Sequence, residues 1–131
     1  MTDSRAKGAR AERAWATWLR ENLNCPQARR GRQYSGSPDS PDVACGVPGT
    51  HPEVKHVERL NLYDAISQAC RDSGEDSIPY VAHRRNRTGW LVTCRAEDWL
   101  RLSRLIVATN EGKDSGKGDL TGGGAGQAAS D

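Results

Sequence analysis

Pro41-Asp42, ten further residues, and then Glu53-Val54-Lys55 place two carboxylates and an amine within one short stretch. Carboxylate oxygens are the ligands Mg²⁺ prefers, one or two from protein with water and phosphate filling the rest. Such a cation polarises a phosphate and lowers the pKa of its water. A lysine beside it orients the nucleophile or offsets charge developing on the phosphoryl oxygens. Asp42 and Glu53 as ligands, with Lys55 as the cation, are the minimum set for hydrolysing a phosphodiester.

These side chains need elements to hold them. Asp42 to Cys45 and His51 to Val57 read as two short strands, with Gly46-Val47-Pro48-Gly49-Thr50 as the turn. Side chains alternate along a strand, so Glu53 and Lys55 share a face that Val54 leaves. A hairpin turning at Pro48-Gly49 sets Asp42 opposite Lys55 on that face, and a one-residue slip would reverse it. Pro38-Asp39 repeats the dipeptide, but only Asp42 runs on into a buried strand, Val43-Ala44-Cys45.

Ser4 to Leu23 reads as a helix with Ser4 as N-cap. Trp15, Ala16, Leu19 and Leu23 form its apolar stripe, and Glu12 lies on that stripe too. An inward carboxylate is costly unless something pairs with it. Glu12 is therefore expected to complete the metal shell or to hold a water on it.

Asn61 caps a second helix, with Asp64 in its first turn and Leu62, Ala65, Ile66, Ala69 and Cys70 as its core side. Pro79 to His83 and Gly89 to Cys94 read as strands. A last helix covers Ala96 to Val107, with Trp99, Leu102, Leu105 and Ile106 as its apolar side. With a further strand at the start of Cys25 to Ser37, the order α-β-β-β-α-β-β-α is a mixed sheet covered by helices, an α/β fold. Of the final 22 residues seven are glycine, and Leu120 is their only large apolar side chain. That composition predicts a folded domain over 1–109 and a disordered tail over 110–131.

With 131 residues the chain is one domain's worth. It contains no Phe, so its core leans on Trp, Leu, Val and Ala. No apolar run is long enough to cross a membrane, and Met1 to Arg5 lack the apolar core of a signal peptide, which predicts a cytoplasmic protein. Cys25, Cys45, Cys70 and Cys94 form no close pair, so small buried thiols are expected rather than zinc ligands or disulfides. Trp15, Trp18, Trp90 and Trp99 all fall in periodic apolar segments and are expected in the core. His51 and His56 are expected to hydrogen-bond or face a ligand rather than bind metal, and Glu58 to pair with an arginine.

Net charge is only +2, but from Arg5 to Tyr34 eight basic residues face two acids. The block His83-Arg84-Arg85-Asn86-Arg87 carries no acid. Such clusters suit a polyanion such as nucleic acid. Lys7, Arg10, Arg29, Arg30, Arg32, Arg84, Arg85 and Arg87 are the candidate contacts, with Tyr34 as an aromatic one.

Glu12 in the opening helix, Pro41-Asp42-Val43, Glu53-Val54-Lys55 and Gln68-Ala69 together resemble the PD-(D/E)xK nuclease superfamily. Within it, the small phage-encoded Holliday junction resolvases are most alike, over about Lys7 to Leu102. The resemblance implies a restriction-endonuclease-like αβββαβ core and Mg²⁺-dependent cleavage, with Mn²⁺ as a substitute. It also implies a homodimer facing a four-way DNA junction, in a bacterial or phage-infected cell. Asp42 and Glu53 would then be metal ligands, Lys55 catalytic, Glu12 an auxiliary acid, and Gln68 a residue facing the site. Ser35 or Ser37 would match a serine some members carry before the Asp. The competing expectations are another nuclease of this fold, cutting flaps, nicks or single strands, and a non-catalytic DNA-binding module.

Overall fold

A computed structural model of the chain describes residues 4–31 and 41–117, with side chains from 5 to 31 and from 41 to 108. The elements are α1 (Ser4–Asn22), β1 (Arg29–Arg30), β2 (Val43–Ala44), β3 (Thr50–His56), α2 (Leu62–Ser73), β4 (Ile78–Arg84), β5 (Leu91–Thr93) and α3 (Ala96–Lys117). The protein is α/β and follows the expected order. Its described strands form a mixed sheet β3-β4-β5 and a two-stranded sheet β1-β2.

β3 and β4 run parallel, in register from Thr50 opposite Ile78 to His56 opposite Arg84. Parallel neighbours need a crossover, and α2 supplies it. Asn61 starts that helix as expected, its Oδ1 accepting from Asp64 N at 3.1 Å. Gly74 ends it at φ 68°, a conformation glycine adopts without a Cβ clash. β5 returns antiparallel to β4.

The expected ladder between β2 and β3 does not form. β2 pairs instead with β1, Arg29 opposite Ala44 and Arg30 opposite Val43. Pro52 explains the difference: it offers a carbonyl to this edge of β3 but has no N–H to donate. That carbonyl accepts from Asp42 N at 3.4 Å. The next N–H on the edge, Val54's, goes to the Asp42 carboxylate at 2.8 Å. A side chain thus joins the segments where a backbone ladder was expected.

Both faces of the parallel pair are covered, as buried parallel strands require. Tyr80 and Ala82 pack with Val54 against Ala11, Trp15, Ala16 and Leu19 of α1. Val81 packs on Ala65 and Ala69 of α2. Trp15 stacks on Trp18 at 4.9 Å, meets Trp90 at 5.0 Å and donates from Nε1 to the Tyr80 hydroxyl at 3.0 Å.

Several apolar expectations need correction. Leu23 is half exposed, and Trp99, expected in the core, is 62% exposed, with Leu105 and Ile106 exposed beside it. Periodicity tells which side chains share a helix face; it does not tell whether anything covers that face. Of the four free thiols only Cys25 is buried, and Cys45 is exposed. α3 continues ten residues past Val107, because no proline interrupts it and Gly112 and Gly116 each cost only about 1 kcal/mol. The expected tail therefore begins inside a helix, and its residues 118–131 lie outside the described ones. Contacts divide the chain into residues 1–98, which hold every described strand, and residues 99–131. Among the described residues no helix is long and apolar enough to cross a membrane.

Candidate active site

Alternation along β3 puts Glu53 and Lys55 on one face, as expected. Lys55 Nζ lies 3.2 Å from Glu53 Oε2. Glu53 is only 5% exposed. Burial pushes its carboxyl from 4.5 up to about 7, the charge on Asp42 adds to the rise, and Lys55 opposes it. Asp72 of α2 raises it a little further.

Asp42 stands just before β2, fixed by the Val54 N–H. Glu12 projects inward from α1, as its place on the apolar stripe predicts. Arg30 Nε donates to Glu12 Oε1 at 2.7 Å. Burial still raises the Glu12 carboxyl, against that hydrogen bond, and Asp42 raises it again. An inward carboxylate was expected to need a partner; Arg30 is that partner.

Lys7 and Glu12 from α1, Asp42, Glu53 and Lys55 from β3, and Gln68 from α2 line one cleft of about 360 Å³. All five residues expected to carry the chemistry are therefore neighbours. Asp42 raises both Glu12 and Glu53, so the cleft concentrates negative charge that a divalent cation would relieve. The donors are hard oxygens, which suits Mg²⁺ or Mn²⁺. The expected three-carboxylate shell is not preassembled: among the described residues no group of three His, Cys, Asp or Glu is set to hold an ion. Arg30 engages Glu12 and Lys55 engages Glu53, which spreads the three acids among separate partners. Asp42 and Glu53, with water and phosphate, remain a sufficient pair by the habits of Mg²⁺.

Among the expected DNA contacts, Lys7 lines the cleft and Arg10 is exposed on α1. Arg29 reaches Cys45 Sγ at 3.3 Å. Arg84 ends β4, and Arg85 and Arg87 are exposed in the turn that follows. Arg32, Tyr34, Ser35 and Ser37 lie outside the described residues. His51 is buried, while His56 Nε2 meets Asn86 Oδ1 at 2.9 Å. Among the described residues Glu58 forms no ion pair with an arginine: its Oε2 accepts from the Asn86 N–H at 2.6 Å, because the β4–β5 turn folds over the end of β3.

Two participants escaped the sequence. Asp72 sits four residues after Gln68, one helical turn on, and that spacing was the signal for it. Trp90 looked like a strand anchor, yet Arg84 lies over its ring at 4.9 Å, a pairing with no local sequence mark. Comparison with protein-family models, curated proteins and solved structures finds no match.

Proposed function

We propose that the protein is a metal-dependent DNA endonuclease, hydrolysing phosphodiesters at a branch such as a four-way junction. One observation carries this reading: Glu12, Asp42, Glu53, Lys55 and Gln68, from α1, the segment before β2, β3 and α2, line a single cleft with Lys7 at its wall. A purely DNA-binding surface has no use for three acids among cations, since they repel phosphate.

Asp42 and Glu53 would hold Mg²⁺, which when bound polarises the scissile phosphate. Lys7 draws the phosphate into the cleft. Lys55, steadied by Glu53, presents its amine where charge develops on the phosphoryl oxygens and orients the attacking water. The Val54 N–H fixes one Asp42 oxygen, so that carboxylate need not reorganise during turnover. Arg30 holds Glu12 at the rim. The restriction-endonuclease-like core belongs to the same proposal, supported by the order α1-β1-β2-β3-α2-β4 and by the parallel β3-α2-β4 unit.

The non-catalytic module keeps one point in its favour, since Glu12 and Glu53 already hold cations of their own. Incubating the protein with labelled four-way junction and with linear duplex of the same sequence, with Mg²⁺ or with EDTA, separates the readings. Mg²⁺-dependent product from the junction at a rate at least tenfold above the duplex is expected. Equal cutting of both replaces the branch with a less selective nuclease, and no product with either points to the binding module.

A further inference from the structure

A second cavity, of about 580 Å³, lies between the loop after β3 and the β4–β5 turn. It meets the carboxylate cleft at Val57, which lines both. Its wall is chemically mixed in a particular way. Leu60, Leu91 and Trp90 give it apolar surface, while Arg59, Arg84 and Arg85 give it three cations. The acid on the wall, Glu58, is engaged by the Asn86 N–H.

The turn is held in place before any ligand arrives. Asn86 is gripped by Glu58 at its N–H and by His56 at its side chain, and Thr88 closes the turn onto Arg85. Arg84 is fixed by its ring contact with Trp90, and its buried Nε finds no hydrogen-bond acceptor among the described residues. An aromatic–guanidinium stack beside an apolar wall offers a base a platform, and the neighbouring arginines offer its phosphate charge. A base inside a duplex has both faces covered by stacking, so only an unpaired one can use such a platform.

We infer that this second cavity binds one unpaired nucleotide of the DNA substrate, its base against Leu60 and the Arg84–Trp90 stack and its phosphate on Arg59 and Arg85. The cavity is of a size that takes small ligands. Its junction with the cleft at Val57 lets one strand run from the unpaired nucleotide to the scissile phosphate along the end of β3. Resting on the endonuclease reading, this gives the enzyme a preference for DNA carrying an unpaired base, such as a flap or a bulge, distinct from any preference for a fully paired four-way junction.

Gly89 provides the test. It lines the cavity, and a Cβ built there meets nothing within 4 Å, so Gly89→Leu adds a side chain at this wall with no clash at its Cβ, and urea unfolding of the variant against wild type checks the fold. Fluorescence anisotropy in EDTA would measure binding to a duplex carrying one unpaired thymidine and to the same duplex fully paired. Wild type should prefer the unpaired form about tenfold, and Gly89→Leu should lose that preference while its affinity for paired duplex stays within twofold. Arg84→Ala, which also removes a positive charge, should lower affinity for the unpaired probe several-fold more than for the paired one. Equal wild-type affinity for the two probes, or equal loss on both in the variants, overturns the inference. Because no cleavage is read, failure of the endonuclease reading shows separately, as selective binding without Mg²⁺-dependent product.

Discussion

Glu53 is the residue on which most of the site's chemistry turns. Folded, it keeps its proton up to about pH 7; unfolded, it releases it near 4.5. Between those values the folded state binds more protons, so stability falls as pH rises through that window and is fully present below it. The metal-free protein should therefore lose roughly 1 to 3 kcal/mol between pH 4.5 and 7, read by urea unfolding across pH. Glu53→Gln should flatten that slope and raise stability at pH 7.5. An unchanged slope in the variant would show that Glu53 is not the group responsible. The same proton competes with Mg²⁺, so affinity for the ion should rise steeply up to about pH 7. The shared face of Glu53 and Lys55 was legible from strand parity alone, and the inward Glu12 from helical periodicity. Arg30 as the partner of Glu12 was not, because 18 residues and a change of element separate them.

At the scale of elements, the junction of β2 and β3 is where a side-chain hydrogen bond stands in for a strand ladder. Asp42 has two roles there, one as a candidate ligand and one as acceptor for the Val54 N–H. Asp42→Ala leaves that N–H without its acceptor and should cost about 1 to 2 kcal/mol in urea unfolding, besides any loss of activity. Asp42→Asn keeps an acceptor oxygen and should cost less than half as much. Equal destabilisation by both would mean the hydrogen bond carries no stability. Seven of the eight elements were readable from periodicity, caps and turns, because those signals are local; the two-residue β1 (Arg29–Arg30) carries no such pattern. The pairing of the strands was not. Two short strands around a Pro-Gly turn suggest a hairpin, but Pro52 removes the donor such a ladder needs, and β3 finds β4 through α2 instead.

At the scale of the whole molecule, no described strand pairs with the outer edge of β5. β5 is short, and Leu91 and Val92 on it are more than half exposed. Exposed apolar edge strands invite another chain, and a second copy of this protein fits the proposed action at a symmetric junction. Light scattering after size exclusion should give the mass of a dimer, and Val92→Lys should shift it toward the 14.3 kDa monomer. A wild-type mass of one chain would remove the dimer from the account. Composition and charge raise the expectation of a polyanion partner at this scale, whereas coverage of α3's apolar side depends on neighbours that periodicity cannot name.

The most direct test lies with Lys55. Its removal leaves Glu53 able to stay neutral by keeping its proton, so Lys55→Ala should fold as wild type does and bind DNA with nearly unchanged affinity. Mg²⁺-dependent cleavage of a four-way junction, measured under single-turnover conditions at pH 8, should fall by at least about 100-fold in that variant. A Lys55→Ala protein that folds, binds and still cuts at the wild-type rate would contradict the candidate active site proposed for this chain.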